Sequence, residues 1–263
     1  MKKIKLKDVN GVLPIGLKLG GIAHSNFSFK PLTYSVEREM ARVLEDSDTN
    51  TSAIGVDALL SVCLDEFAGV KNTSEDHRKT ISNSLKQSYY ADVMTMYLSL
   101  RLQEIGPEFY MNGYCPICNK PSSLVGDVGE TGIDVPDDEK DLYREYKLIE
   151  PLPFRGNATM TSLQIGPNIW GTSYQGIDRF SDVKRRAILG AVRNVNGVEK
   201  SLIENDILAM RKKDMNALVN LIGEVNFGPE MVIGLKCGSC KKYETVEAFD
   251  WRYTFFFDLS SRS

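Results

Sequence analysis

Several features that would assign an activity directly are missing from this sequence of 263 residues. Only two histidines occur, His24 and His77, and neither belongs to a Cys-His or Ser-His-Asp pattern. No glycine-rich loop of the form G-x-x-x-x-G-K-[ST] or G-x-G-x-x-G is present to bind a phosphate group. We therefore predict that the protein is not an enzyme, and we assign no catalytic or cofactor-binding residue.

Long apolar runs and an excess of positive charge are also missing. No run of about 18 apolar residues occurs, so a membrane span is not expected. The lysine-rich start is interrupted by charges before any apolar segment forms, so we predict no signal peptide. The net charge is −3, whereas a protein that mainly neutralises phosphates usually has a basic excess. Nucleic acid is therefore not expected as a partner. Because no catalytic or ligand-binding motif is present, we also predict no small-molecule substrate.

Hydrophobic periodicity predicts a mixture of helices and strands. Helices are predicted from near Ser35, after Asp57, from about 74 to 105, at about 180–194 and at about 205–223. Strands are predicted at about 109–115, 146–154, 158–165, 231–235 and 243–249. Residues 93–102 are apolar around nearly the whole helix, which predicts a position at the centre of a helical core.

These elements predict an α+β fold, with a helical body and a β-rich zinc-ribbon module that is split by a long insertion. The N-terminal extended segment and first helical region would occupy 1–105, and the second helical region 179–228. The ribbon would be formed by 106–178, which includes a β-rich acidic insertion, and by 229–263 with its aromatic segment. Residues 126–145 contain eight acidic and two basic side chains, which predicts an exposed loop.

Five cysteines are present, and four of them form two C-x-x-C pairs: Cys115 with Cys118, and Cys237 with Cys240. An odd number of cysteines without a secretory signal favours a reducing compartment, where such pairs more often bind metal than form disulfides. A C-x-x-C turn directs two thiolates at one ion, and two such turns complete the four-sulfur shell of structural zinc. We predict one structural Zn²⁺ per chain, with these four cysteines as its ligands.

Two observations bear on the alternatives to zinc. The pairs are separated by 118 residues, so the ribbon must be assembled from distant segments, at a modest cost in loop closure. A redox centre would need a C-x-x-C pair at a helix start, whereas both pairs lie between predicted strands. Disulfide or redox use stays open as an alternative, and a closed four-sulfur shell leaves no position for catalytic zinc. Lys120, Lys236, Lys241 and Lys242 would partly offset the negative charge of the site.

Three further groups of residues have both a structural and a functional interpretation. The basic clusters 184–186 and 211–213 fit a solvated helix face or contact with nucleic acid. Cys63 lies on an apolar helical stripe and is predicted to be a buried small hydrophobic residue. The third group consists of the C-terminal aromatic residues Trp251, Tyr253, Phe255, Phe256 and Phe257. These residues fit either the ribbon's own core or a surface that docks on a partner.

Taken together, several spaced features resemble the baseplate-hub assembly chaperones and related baseplate proteins of contractile-tailed bacteriophages. These features are FSFKPLT at 27–33 with ERE at 37–39, DILAMR at 206–211 with the helix 214–222, Gly228-Pro229 before CGSC at 237–240, and FFF at 255–257. The zinc prediction rests on the cysteines of this sequence alone.

The resemblance implies a non-enzymatic assembly factor or structural subunit that contacts other tail or baseplate proteins. It would act in the host cytoplasm during assembly, and it would either leave or be retained in the virion tail. The alternative is a zinc-ribbon protein that binds nucleic acid, for example in transcription. The negative net charge favours the first interpretation.

Overall fold

The computed structural model describes residues 2–46, 52–155, 158–173, 180–199, 202–230 and 232–248. Its helices are α1 (Tyr34–Asp46), α2 (Ser52–Cys63), α3 (Glu75–Gln87), α4 (Tyr90–Glu104), α5 (Trp170–Ser173), α6 (Phe180–Ala191), α7 (Glu204–Leu208) and α8 (Lys212–Glu224). Its strands in the first half of the chain are β1 (Lys2–Lys5), β2 (Val12–Leu19), β3 (Ile22–Phe29), β4 (Leu64–Phe67), β5 (Val70–Lys71), β6 (Glu108–Cys115), β7 (Lys120–Asp127) and β8 (Gly132–Val135). The remaining strands are β9 (Arg144–Phe154), β10 (Ala158–Ile165), β11 (Val192–Val195), β12 (Val198–Glu199), β13 (Gly228–Pro229), β14 (Val232–Cys237) and β15 (Glu244–Ala248).

The strands form antiparallel sheets, and the prediction of a helical body was wrong. Helix and strand take similar shares of the described residues, and the helices are distributed among four sheets. The sheet orders are β1-β8-β13, β12-β11-β10-β9, β15-β14-β7-β6 and β2-β3-β4-β5. The strands β2 and β3 lie in the N-terminal segment that the sequence predicts to be extended, with a strand near 26–30. The strands β4 and β5 lie inside the predicted helical region, where no strand was predicted.

Helix α4 is buried on every side, as its apolar circumference indicates, but its surroundings differ from the prediction. Ten of its residues are buried, and it packs against β2 and β13 as well as α2 and α5. The buried carboxylate of Asp92 accepts hydrogen bonds from the backbone N–H groups of Ile15 (2.9 Å) and Gly16 (3.0 Å). All-round apolarity therefore predicted burial correctly, but it could not distinguish a helix packed on helices from one packed on strands.

Two hydrophobic clusters hold the described residues together. The first joins residues from β2, α2, α4 and the cysteine turns, and Leu59, Phe67, Tyr97 and Cys115 are buried within it. The second joins β9, β10, β11 and α6 with α8, and it contains Leu163, Ile188 and Leu218. The cysteine turns therefore belong to the same apolar core as α4. The division of the chain into four segments proposed from the sequence stays a prediction.

The acidic stretch 126–145 is not an exposed loop, so that prediction was also wrong. Val128 and Ile133 are fully buried, and β8 lies between β1 and β13 in one sheet. The lysines of the N-terminal segment neutralise its acids: Lys5 and Lys7 both pair with Glu130, and the side chain of Lys3 lies 3.9 Å from Asp134. Counting charges along the chain missed this arrangement because the compensating cations are more than 120 residues away.

Among the helices of the described residues, none has the length and apolar character needed to cross a membrane.

Candidate metal centre

The first cysteine pair lies in a tight turn between β6 and β7. The backbone N–H of Cys118 points at Cys115 Sγ at 3.4 Å, and the N–H of Asn119 donates to the carbonyl of Cys115 at 3.0 Å. Asn119 has a left-handed backbone with φ of 54°, which asparagine tolerates better than most residues. The sequence C-P-I-C-N thus closes a turn that presents both sulfurs on one side.

The second pair, between β14 and β15, repeats this geometry. The N–H of Cys240 lies 3.5 Å from Cys237 Sγ, and the N–H of Lys241 donates to the carbonyl of Cys237 at 3.0 Å. Lys241 is also left-handed, with φ of 59°. Gly238 is required by close packing, because a Cβ at this position would lie 2.8 Å from the carbonyl oxygen of Ser123. The two turns are therefore equivalent in local conformation, although one uses proline and the other glycine after the first cysteine.

A single four-stranded sheet brings the two turns together. The hairpins β6–β7 and β14–β15 are joined by antiparallel pairing of β7 with β14, in which Cys237 lies opposite Leu124. A hydrogen bond from the N–H of Gly238 to the carbonyl of Ser123 (2.8 Å) extends this pairing into the second turn. The two halves of the ribbon, distant in sequence, therefore share one sheet.

The four sulfur atoms form a compact cluster that could hold a metal ion. All four lie within 4.8 Å of one another, and the sulfurs of Cys115 and Cys240 are 3.6 Å apart. A tetrahedral four-sulfur shell with metal–sulfur bonds of about 2.3 Å has sulfur–sulfur distances of about 3.8 Å, so the spacing fits one ion at the centre. Cys115 and Cys237 are buried, and their two partners are partly exposed.

The surroundings shift the thiol pKa values in opposite directions. The backbone N–H of Cys240 and the hydroxyl of Ser122 lower the pKa of Cys237 to about 6. The backbone N–H groups of Lys242 and Tyr243 hold the pKa of Cys240 below its usual value. Desolvation, together with the neighbouring cysteines, raises the pKa of Cys118 to about 12. Neighbouring thiolates repel each other, so a cation is needed before all four can be deprotonated together.

Sequence reasoning missed part of what surrounds the cluster. Ser122 Oγ lies 3.2 Å from Cys237 Sγ and 3.0 Å from Ser239 Oγ, yet a serine within a strand such as β7 carries no distinctive signal. Lys236 was predicted to offset part of the negative charge of the four thiolates. Its ammonium instead lies 3.0 Å from the carboxylate of Glu244, so it offsets less of that charge than predicted. Much of the positive potential at the thiols of Cys237 and Cys240 comes from backbone N–H groups. A sequence pattern does not reveal these groups, because nearly every residue type has one.

The other residues singled out from the sequence lie away from this cluster or outside the described residues. Cys63 is fully buried, and burial raises its pKa to about 12, as expected for a core thiol. In the basic clusters, Arg185 pairs with Glu204 at 2.6 Å and Arg211 pairs with Glu150, so both have acidic partners within the protein. The predicted partner-binding aromatics, Trp251, Tyr253, Phe255, Phe256 and Phe257, lie outside the described residues.

Comparisons with family models, curated proteins and solved structures gave no match for this chain, and the phage resemblance therefore stays a prediction.

Proposed function

We propose that Cys115, Cys118, Cys237 and Cys240 hold one structural Zn²⁺ and that the protein is a non-enzymatic component of phage tail or baseplate assembly. The observation that carries the zinc assignment is the closed set of four sulfurs at the meeting point of two equivalent turns. Four thiolates are the donor set of structural zinc, and they leave no coordination position for water or substrate. The role of the ion is then to fasten the two hairpins to each other.

The assembly role rests on the sequence resemblance, and two features support a protein partner over nucleic acid. Tyr110, Tyr114 and Ile117 are exposed on the first hairpin, and exposed aromatic residues are common at the centres of protein interfaces. Arg185 and Arg211 already pair with acids, which leaves less positive potential for phosphates. The partners would be tail or baseplate proteins, met in the host cytoplasm, with the protein either released or retained in the tail.

Metal analysis tests the zinc assignment. Purified protein is expected to contain one zinc per chain, and X-ray absorption is expected to show four sulfur ligands at about 2.3 Å. The Cys63→Ala variant is the matched control, because it removes a thiol without touching the cluster. Protein that contains no zinc, or zinc with nitrogen or oxygen ligands, would contradict the assignment.

The partner class is tested separately. Tagged protein expressed together with individual baseplate proteins is expected to co-purify with at least one of them, and retention on DNA at low salt is expected to be absent. Binding to DNA that weakens steeply as salt rises would instead favour the nucleic-acid function, since release of counterions gives that dependence.

A further inference from the structure

The face of the ribbon sheet that points away from the core contains a groove. Along β14 the side chains alternate: Ile233 and Leu235 are buried, whereas Val232, Gly234 and Lys236 are exposed. The groove has a volume of about 810 Å³, and these three exposed residues line it. No described heavy atom lies within 4 Å of a Cβ built on Gly234. The groove therefore has an open floor beside the apolar side chain of Val232.

Five acidic side chains line the groove, and the fold supplies lysine partners for three of them. These pairs are Glu130 with Lys5 and Lys7, Glu230 with Lys3, and Glu244 with Lys236. The other two acids, Glu108 and Asp127, have no ion pair in the part of the chain that the structure describes. One end of the groove therefore lacks the cations that its other acids have.

Glu108 and Asp127 face each other across β6 and β7. Side chains directly opposite in an antiparallel pair have Cβ atoms about 4.5–5.5 Å apart, and like charges there are destabilising. The hydroxyl of Tyr110 donates to Glu108 Oε2, and the backbone N–H of Gly129 donates to Asp127 Oδ1 at 2.8 Å. The second oxygen of each carboxylate has no donor among the described residues. Both carboxylates therefore keep an oxygen for a further donor.

The open floor of the groove lies beside this acidic pair. Leu235 pairs with Gly126, so the same register places Gly234 next to Asp127. Thr131 also lines the groove; it is 5% exposed, and its Oγ1 has no hydrogen-bond partner among the described residues. A buried polar group without a partner indicates a place where a ligand or water is missing. The hydroxyl is thus a second, independent sign of an unfilled site.

The spacing of the acids favours a side-chain cation over a metal ion. Within the described ranges, the four cysteines are the only group of thiols, acids or histidines close enough to hold a metal. Lys7 serves Glu130 instead: the pKa of Lys7 is raised mainly by its hydrogen bond to Glu130 and least by Asp127. A guanidinium has five N–H donors in one plane, so it can bond two carboxylates at once. Its aliphatic stem can lie along apolar surface such as Val232.

We propose that this groove binds an extended segment of a partner protein and that an arginine of that segment bonds both Glu108 and Asp127, with its stem over Gly234. The partner then supplies the cation that the fold provides for the other acids of the groove. The repulsion between the two carboxylates is relieved only in the complex. The arginine site rests on the protein-partner role proposed above, and it specifies the chemistry that this partner must present.

Peptide titration of the full-length, zinc-loaded protein tests the site. The probes are the capped peptide Thr-Val-Arg-Val-Thr and the same peptide with citrulline, a neutral isostere, in place of arginine. In ¹⁵N-labelled protein, the backbone amide signals of Gly126, Gly132 and Gly234 report on the groove, because all three residues line it. The arginine peptide is expected to shift these signals and to bind at least about tenfold more tightly than the citrulline peptide, since hydrogen bonds between charged groups are stronger.

Neutral isosteres of the two acids locate the interaction. The double variant Glu108→Gln/Asp127→Asn is expected to bind both peptides equally. Its melting temperature without peptide should equal or exceed that of the wild type, because the repulsion is gone. Glu244→Gln is the matched control: it removes an acid from the same groove that already has Lys236 as its partner, and it should keep the preference for arginine.

The remaining outcomes overturn the proposal. Equal or undetectable binding of the two peptides to the wild type shows that the groove does not recognise a guanidinium. A preference for arginine that survives in the double variant, or shifts confined to glycines outside the groove such as Gly20 and Gly197, places the interaction elsewhere. Ca²⁺ that produces the groove shifts and displaces the peptide would identify a metal site instead. No baseplate protein enters this titration, so its failure leaves the co-purification test of the proposed function untouched.

Discussion

Removal of the second cysteine turn should have the largest effect on stability. The double variant Cys237→Ala/Cys240→Ala leaves the first turn intact, so a bound ion could no longer join the two hairpins. The direct pairing between the hairpins is short, because β7 and β14 share three residue pairs. The metal cross-link is therefore expected to contribute a large part of what holds them together.

The size of this effect follows from the length of chain that the ion closes. The cross-link between Cys118 and Cys237 spans 118 intervening residues. In the chain-entropy account, closing a loop of that length removes about 5 kcal/mol of freedom from the unfolded state. A domain is typically stable by only about 5–15 kcal/mol, so the loss is severe. At about 2–4 °C per kcal/mol, the melting temperature should fall by about 10–20 °C.

Circular dichroism melting of the zinc-loaded wild type and of the double variant measures this loss. Cys63→Ala is the control: it should keep one zinc per chain. Chelation of the wild type is expected to reproduce the lower melting temperature of the double variant and to have no further effect on that variant. A double variant that melts together with the Cys63→Ala protein would refute the idea that the ion joins the hairpins.

Three further outcomes are expected. Burial raises the pKa of Asp92 to about 7, so the folded protein keeps a proton that the unfolded chain releases near pH 4; this stabilises the fold at low pH, and the stabilisation is lost as pH rises through 7. As pH falls from 8 to 5, the unfolding free energy of Asp92→Asn in urea should therefore fall relative to that of the wild type, and parallel pH profiles would contradict this account. Gly238→Ala places a methyl group 2.8 Å from the Ser123 carbonyl and should weaken zinc retention against a chelator, while Gly223→Ala, with open space around it, should not. Cys63→Ala should keep its zinc and lose about 1 kcal/mol of unfolding free energy in a urea titration, and a loss of zinc there would place Cys63 beside the metal.

The sequence alone determined the features that depend on a few adjacent residues. The C-x-x-C spacing predicted two turns with converging sulfurs, because turn geometry is set within about five residues. The apolar circumference of 93–102 predicted a buried helix for the same kind of local reason, and ten of the 15 residues of α4 are buried. The buried position of Cys63 followed from helical periodicity.

Only the tertiary structure decided what each of these features meets. The meeting of the two cysteine turns depends on the pairing of β7 with β14, which are more than 100 residues apart. The acidic stretch became part of a sheet whose neighbouring strand β1 supplies Lys3 and Lys5, with Lys7 just after it, as partners for its acids. Pairing over such distances is selected by the energy of the whole assembled fold, and no local pattern of residues encodes it.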